Sequence, residues 1–93
     1  MMLIKIQYEA QAKWVAGVSS ETIEVSDRCR VSDCIRQVAE SHGDDLKQVL
    51  LDGAGDIQST LLLFLDDQQI VRDDEFELAD GNTLTIMTPI SGG

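Results

Sequence analysis

Hydrophobic and polar positions alternate at the start of the chain. Ile4, Ile6 and Tyr8 fall on one side of an extended backbone and Lys5 and Gln7 on the other, the two-residue period of a strand with one wet face. This predicts a first strand over Leu3 to Tyr8. Thr22-Ile23-Glu24-Val25 alternates again and predicts a second strand, with Ile23 and Val25 directed inward. Between the two, Glu9 to Ser20 has no clear period and contains Trp14, Val15, Gly17 and a Ser-Ser pair. It reads as a long hairpin connection in which the Trp14 ring covers the end of the core.

The period then changes. Val31, Cys34, Ile35, Val38 and Ala39 recur at three-and-four spacing, which predicts the main helix. Ser32 is the expected N-cap, with Asp33 beside the positive end of the dipole. Gly43 is expected to close the helix in the left-handed conformation, and His42 to cap its negative end. His42 is the only histidine. It has no apparent Ser, Cys or carboxylate partner, which argues against a catalytic role. Leu46, Val49 and Leu50 predict one or two further helical turns, ended by Gly53-Ala54-Gly55. Asp52 and Asp56 bracket those glycines but lack the alternating oxygen ligands and later Glu of a calcium loop, so no metal is expected.

Thr60 to Leu65 is the most apolar run and reads as a strand buried on both faces, central to the sheet. Asp66-Asp67 turns the chain into a short returning strand, Gln69-Ile70-Val71. Asp73, Asp74, Glu75 and Glu77 form an acidic loop anchored by Phe76 and Leu78. Paired carboxylates of that kind serve acid and base chemistry only within a concave site, for which this chain is too small. Asp80-Gly81 then turns into the last strand, with Leu84, Ile86 and Thr88 on one side and Thr85 and Met87 on the other.

Pro89 fixes its own φ and removes a ladder donor, so pairing is expected to stop there. The four residues after it reach about 13 Å when extended. Ile90 is apolar, and Ser91, Gly92 and Gly93 offer little bulk, leaving the final carbonyl sterically open. An apolar strand running straight into Gly-Gly differs from the polar, frayed ending typical of chains. The expected organisation is a domain over residues 1–88 and a flexible tail over 89–93.

Composition narrows the function classes. The chain has 93 residues, enough for one domain but not for an internal active-site cleft. Seven basic against 17 acidic residues give a net charge of −10. Such a field repels phosphate backbones and anionic lipid, which excludes nucleic acid and membrane as partners and suits a basic protein partner. Neither a basic leader nor a membrane-length apolar run is present, so a cytoplasmic location is expected. Cys29 and Cys34 are too few and too close in sequence to staple a fold. Neither is expected to be catalytic: Cys34 has core spacing and packs as a small apolar group, and a reactive thiol is only the minor alternative at Cys29, where Arg28 and Arg30 are placed to lower its pKa.

Taken together, strand, strand, helix, variable stretch, strand, short strand and strand ending in Gly-Gly resembles the sulfur-carrier family of ubiquitin-like β-grasp proteins. That family includes the small subunit of molybdopterin synthase and the carrier of thiazole synthesis. The most specific parts are Asp80-Gly81-Asn82-Thr83-Leu84 and Thr88-Pro89-Ile90-Ser91-Gly92-Gly93, supported by Ala16-Gly17 and Val31-Ser32-Asp33. Asp66-Asp67 departs from the family's Asn-Gly type of turn, and residues 44–60 fall in its variable region.

The resemblance implies an α+β fold of β-grasp type, with a mixed sheet of four to five strands packed on one main helix. It also implies a protein cosubstrate, not an enzyme, that binds no cofactor. A ubiquitin-activating-type adenylyltransferase would use ATP to adenylate the Gly93 carboxylate. A sulfur-donor protein would convert the adenylate to a thiocarboxylate, and a downstream acceptor enzyme, in molybdopterin or thiamine biosynthesis, would take the sulfur. Pro89, Ile90, Ser91 and Gly92 would be the residues gripped by those partners. The alternative is a protein modifier, with Gly93 joined to a target lysine; a third class is an interaction domain with an incidental ending.

Overall fold

A computed structural model describes residues 1–70 and 77–88 of the chain. The first predicted alternation is realised as β1 (Met2–Glu9), whose inward residues Ile4, Ile6 and Tyr8 are all buried. Its antiparallel partner is β2 (Ser20–Val25), with Ile4 opposite Ile23 and Met2 opposite Val25. Val25 is buried and Ile23 partly so.

The connection between them is not a plain loop. Ala10, at φ 58°, swings the chain into α1 (Gln11–Ala16), which Gly17 closes in the left-handed region at φ 80°. Its six residues are too few to show a helical period above noise, which is why the sequence pattern misses it. Ala12 faces the core, while Trp14, on the opposite side of the turn, is 87% exposed. The expectation that the indole covers the core is therefore incorrect.

The main helix is α2 (Val31–His42), and its inward stripe of Val31, Cys34, Ile35, Val38 and Ala39 is buried as the spacing predicts. Its N-cap is Arg30, not Ser32; Ser32 lies within the first turn and is buried. The Asp33 carboxylate reaches back to accept the Arg30 N–H at 3.4 Å, the half of a capping box that the third helical residue supplies. Gly43 does take a positive φ of 94°, but at ψ −174° it is outside the left-handed helical region. It turns the chain directly into α3 (Asp44–Leu50), which packs against α2 and buries Leu46 and Leu50.

Strand β3 begins at Leu62 (Leu62–Leu65) and pairs with β4 (Gln68–Ile70) across the two-residue Asp66-Asp67 turn. Val71 and residues 72–76, including Phe76 and most of the acidic loop, lie outside the described residues. Leu78 is buried, as expected, and its N–H donates to the Cys29 carbonyl at 2.8 Å. The last strand, β5 (Thr83–Met87), runs parallel to β1 and antiparallel to β3. The sheet order is β2-β1-β5-β3-β4. The centre is therefore β5, not β3, and Leu62 at 38% exposed shows that β3 is wet on one face. One apolar cluster unites the inner sheet face with α2 and α3. This mixed five-stranded sheet on a main helix is the α+β, β-grasp arrangement expected.

Candidate functional site

The site is the end of the central strand. In β5 the inward Leu84 and Ile86 are fully buried between the inward residues of β1 and β3, Ile6 and Tyr8 on one side and Leu63 and Leu65 on the other. Because β5 is flanked on both sides, the point where it ends is fixed by two ladders. Thr88 follows it, only 4% exposed, and its Oγ1 accepts the Ala12 N–H at 3.1 Å. That amide lies in the first turn of α1, where no intrahelical acceptor exists, so the threonine hydroxyl caps the helix as the helix holds the strand end. The predicted site residues Pro89, Ile90, Ser91, Gly92 and Gly93 lie outside the described residues. Thr88 is the anchor from which they depart.

The open face of the sheet leads to the same point. In the last register row Glu9, Met87 and Leu62 stand side by side, and in the next row on that face Gln7, Thr85, Phe64 and Gln69. Thr85 Oγ1 donates to Gln7 Oε1 at 3.1 Å. Met87, Leu62 and Phe64 form a partly exposed apolar strip beside the root of the tail. A shallow cleft lined by Gln11, Val49, Thr60, Leu61 and Thr88 opens on its inner side.

The chemistry-bearing residues elsewhere are structural. His42 is not a simple helix cap: its Nε2 donates to Glu21 Oε2 at 2.5 Å, and the buried Tyr8 hydroxyl donates to the same oxygen. The Tyr8 and His42 rings meet edge to face at 5.8 Å. Burial above all, with the Glu21 carboxylate adding to it, holds the Tyr8 phenol well above the usual tyrosine range. Nothing in the local pattern signals the Glu21 partner, because residues 21 and 42 meet only where the end of α2 lies against the start of β2. The cluster joins β1, β2 and the end of α2.

Cys34 is fully buried, and desolvation pushes its thiol up to about 12. Cys29 is corrected in the same direction: burial, then the Asp33 charge, raises its pKa, and the expected effect of Arg28 and Arg30 is absent. A reactive thiol is therefore not supported. Among the described residues no group of three His, Cys, Asp or Glu is arranged to hold a metal. Asp52 is instead occupied in its own loop, accepting the Ala54 and Asp56 amides at 2.8 and 3.0 Å.

Comparison with known proteins agrees with this geometry. The sequence model of the ThiS family matches residues 6–93. The molybdopterin synthase sulfur carrier subunit of Chlamydomonas reinhardtii is 30% identical over 92 residues, spanning 99% of this chain and 100% of that protein. Among solved structures, small archaeal modifier protein 1 of Haloferax volcanii superposes with a TM-score of 0.86 at 16% identity, covering 97% of this chain and 100% of that one. A chain of the complex of subunits 1 and 2 of the molybdopterin-converting factor of Helicobacter pylori superposes with a TM-score of 0.63 at 18% identity, covering 99% and 100%. These two likenesses establish a shared ubiquitin-like β-grasp fold.

Proposed function

The chain belongs to the ThiS family, and on that premise we propose that it is a sulfur carrier that works through the Gly93 carboxylate. The observation that carries the reading is the extent of the family match, which runs through the whole domain and on to Gly93. An ionised carboxylate is a poor electrophile with no adequate leaving group, so it needs activation before sulfur can replace oxygen. A carboxylate oxygen of Gly93 attacks the α-phosphate of ATP held by a ubiquitin-activating-type adenylyltransferase, and pyrophosphate leaves. Hydrosulfide supplied by a sulfur-donor protein then attacks the acyl-adenylate carbonyl, AMP leaves, and a thiocarboxylate remains.

The carrier supplies no catalytic group of its own. It supplies an anchored strand end at Thr88, a proline whose φ is fixed by its ring, and glycines narrow enough for an enzyme channel. The acceptor suggested by the names of the Chlamydomonas relative and the Helicobacter complex is the other subunit of a molybdopterin synthase; the apolar strip of Leu62, Phe64 and Met87 beside Thr88 is the surface of this chain suited to receive it.

The test is incubation with ATP and the adenylyltransferase of the same organism, followed by intact mass analysis. AMP is expected on Gly93, and addition of the sulfur donor is expected to exchange one oxygen for sulfur. No adduct on the full-length chain would sink the reading. The fold shared with small archaeal modifier protein 1 prompts a second reading, in which activated Gly93 is joined to a target lysine. Lysine-linked conjugates in a native extract, with no thiocarboxylate form, would favour it.

A further inference from the structure

We propose that Trp14, with Val18 and Lys13 beside it, is the anchor by which the adenylyltransferase grips the folded body next to the tail. This rests on the reading of Gly93 as the reacting end. Activation precedes both fates of that residue, so the surface serves the same enzyme whether the chain is a carrier or a modifier.

Three observations converge on it. The first is exposure without a packing role. Two residues along a helix turn a side chain by about 200°, so with Ala12 buried Trp14 points away from the core, and it is 87% exposed. It is the only tryptophan in the chain. It is also not isolated: Gly17 ends α1 and turns the chain back, so that Val18, 42% exposed, joins Trp14, Lys13 and Ser19 around one open depression.

The second is distance from the reacting end. Residues 89–93 span at most about 18 Å when fully extended, so an enzyme that encloses Gly93 meets the body around Thr88. The element hydrogen-bonded to Thr88 is α1, through Ala12. Trp14 has its Cα about 5 Å from that of Ala12 by helix geometry. A standard interface covers about 800 Å² on each partner, a disc roughly 16 Å in radius. A footprint centred on Thr88 therefore includes α1.

The third is charge. The four longest runs without Asp or Glu are residues 1–8, 10–20, 57–65 and 81–93. The fold brings them together: β1 and β3 both pair with β5, and α1 is bonded to its end. Among the described residues the acids lie mostly on β2, α2, the first turn of α3 and the loops and turns at 27, 52–56, 66–67, 77 and 80; the exception is Glu9, exposed at the end of β1 opposite Met87. In a chain of net charge −10, the surface around Thr88 carries one exposed acid, Glu9, and one exposed base, Lys13, so it is close to neutral and largely apolar. The complementary surface is an apolar pocket for the indole, with an acceptor for its N–H and an acidic group facing Lys13. The acidic remainder of the body governs approach, not contact.

The test is steady-state adenylation of the full chain by that enzyme, with the carrier as the varied substrate. Trp14→Ala is expected to raise KM for the carrier about 30-fold, the effect of losing an interface hot spot, and to leave kcat unchanged because the indole touches no reacting atom. Leu3→Ala, 51% exposed at the opposite end of β1, is expected to change neither. An unchanged melting temperature confirms that Trp14→Ala is folded. With fluorotryptophan incorporated, the single fluorine resonance of the carrier is expected to shift when the enzyme is added. If the wild type is adenylated but Trp14→Ala has the wild-type KM, or loses kcat alone, the docking proposal fails and the tail reading stands. If the wild type is not adenylated, both fall.

Discussion

The Ala12 amide donates to Thr88 Oγ1 at 3.1 Å, joining residues 76 positions apart. The bond ties the short helix to the end of the central strand, next in sequence to Pro89. Thr88→Val keeps the shape of the side chain but removes the acceptor, leaving a buried N–H unpaired at a cost of about 1–3 kcal/mol. Urea unfolding is expected to show a lower midpoint with an unchanged m-value, while Thr88→Ser, which keeps the hydroxyl, stays closer to wild type.

Glu21 holds two donors at once, the Tyr8 hydroxyl and the His42 imidazole. Glu21→Ala strands the buried phenol and is expected to cost about 2 kcal/mol, a fall in Tm of roughly 8–16 °C for a domain of this size. Tyr8→Phe removes the donor instead and leaves the carboxylate paired with His42, so its loss is expected to be smaller. A calorimetric series in which Tyr8→Phe is the worse of the two would contradict this account.

Stability is expected to decline in alkali. Cys34 ionises near 9.0 as a free thiol but is held protonated up to about 12 by its burial in the fold. Between those values the unfolded chain binds fewer protons than the folded one, so stability falls as pH rises; the contribution is complete below about pH 9 and gone above about pH 12. Cys29 and Tyr8 are raised in the same sense and add to the slope. Denaturation midpoints measured from neutral pH to about pH 11 are expected to fall, and Cys34→Ala to fall less steeply.

Gly81 is at φ 89°, and its N–H donates to the Leu3 carbonyl at 2.9 Å. An added Cβ meets no atom within 4 Å, so the cost of Gly81→Ala is conformational, about 1–2 kcal/mol. Gly53 has equal space and no positive φ. Gly53→Ala is therefore expected to be neutral, or to stabilise by up to about 1 kcal/mol through the unfolded chain. Equal losses at the two positions would refute the argument.

Much of the fold was legible because the strongest patterns are those of one-sided burial. The alternation of Ile4, Ile6 and Tyr8 and the helical spacing from Val31 to Ala39 each predicted the buried set correctly. The Asp66-Asp67 turn looked like a departure from its family, yet Asp66 takes φ 55°, the conformation an Asn or Gly supplies. Its carboxylate accepts from the Thr83 amide and the Asn82 side chain at 3.0 and 2.9 Å. The errors fell where no period exists: a six-residue helix, an arginine at the N-cap whose own amide is held by Asp33, and a tryptophan whose apolar surface was assigned to the core.

Local pattern thus determined which residues are buried, where the main elements run and what stands at the end of the chain, because side-chain periodicity depends only on neighbours in sequence. Tertiary structure alone decided that β5 is the central strand, that Thr88 meets Ala12, that Glu21 meets His42 and that the acid-free runs gather around the tail. Each of these joins distant residues through strand order and register, and neither is written in any single stretch of the chain.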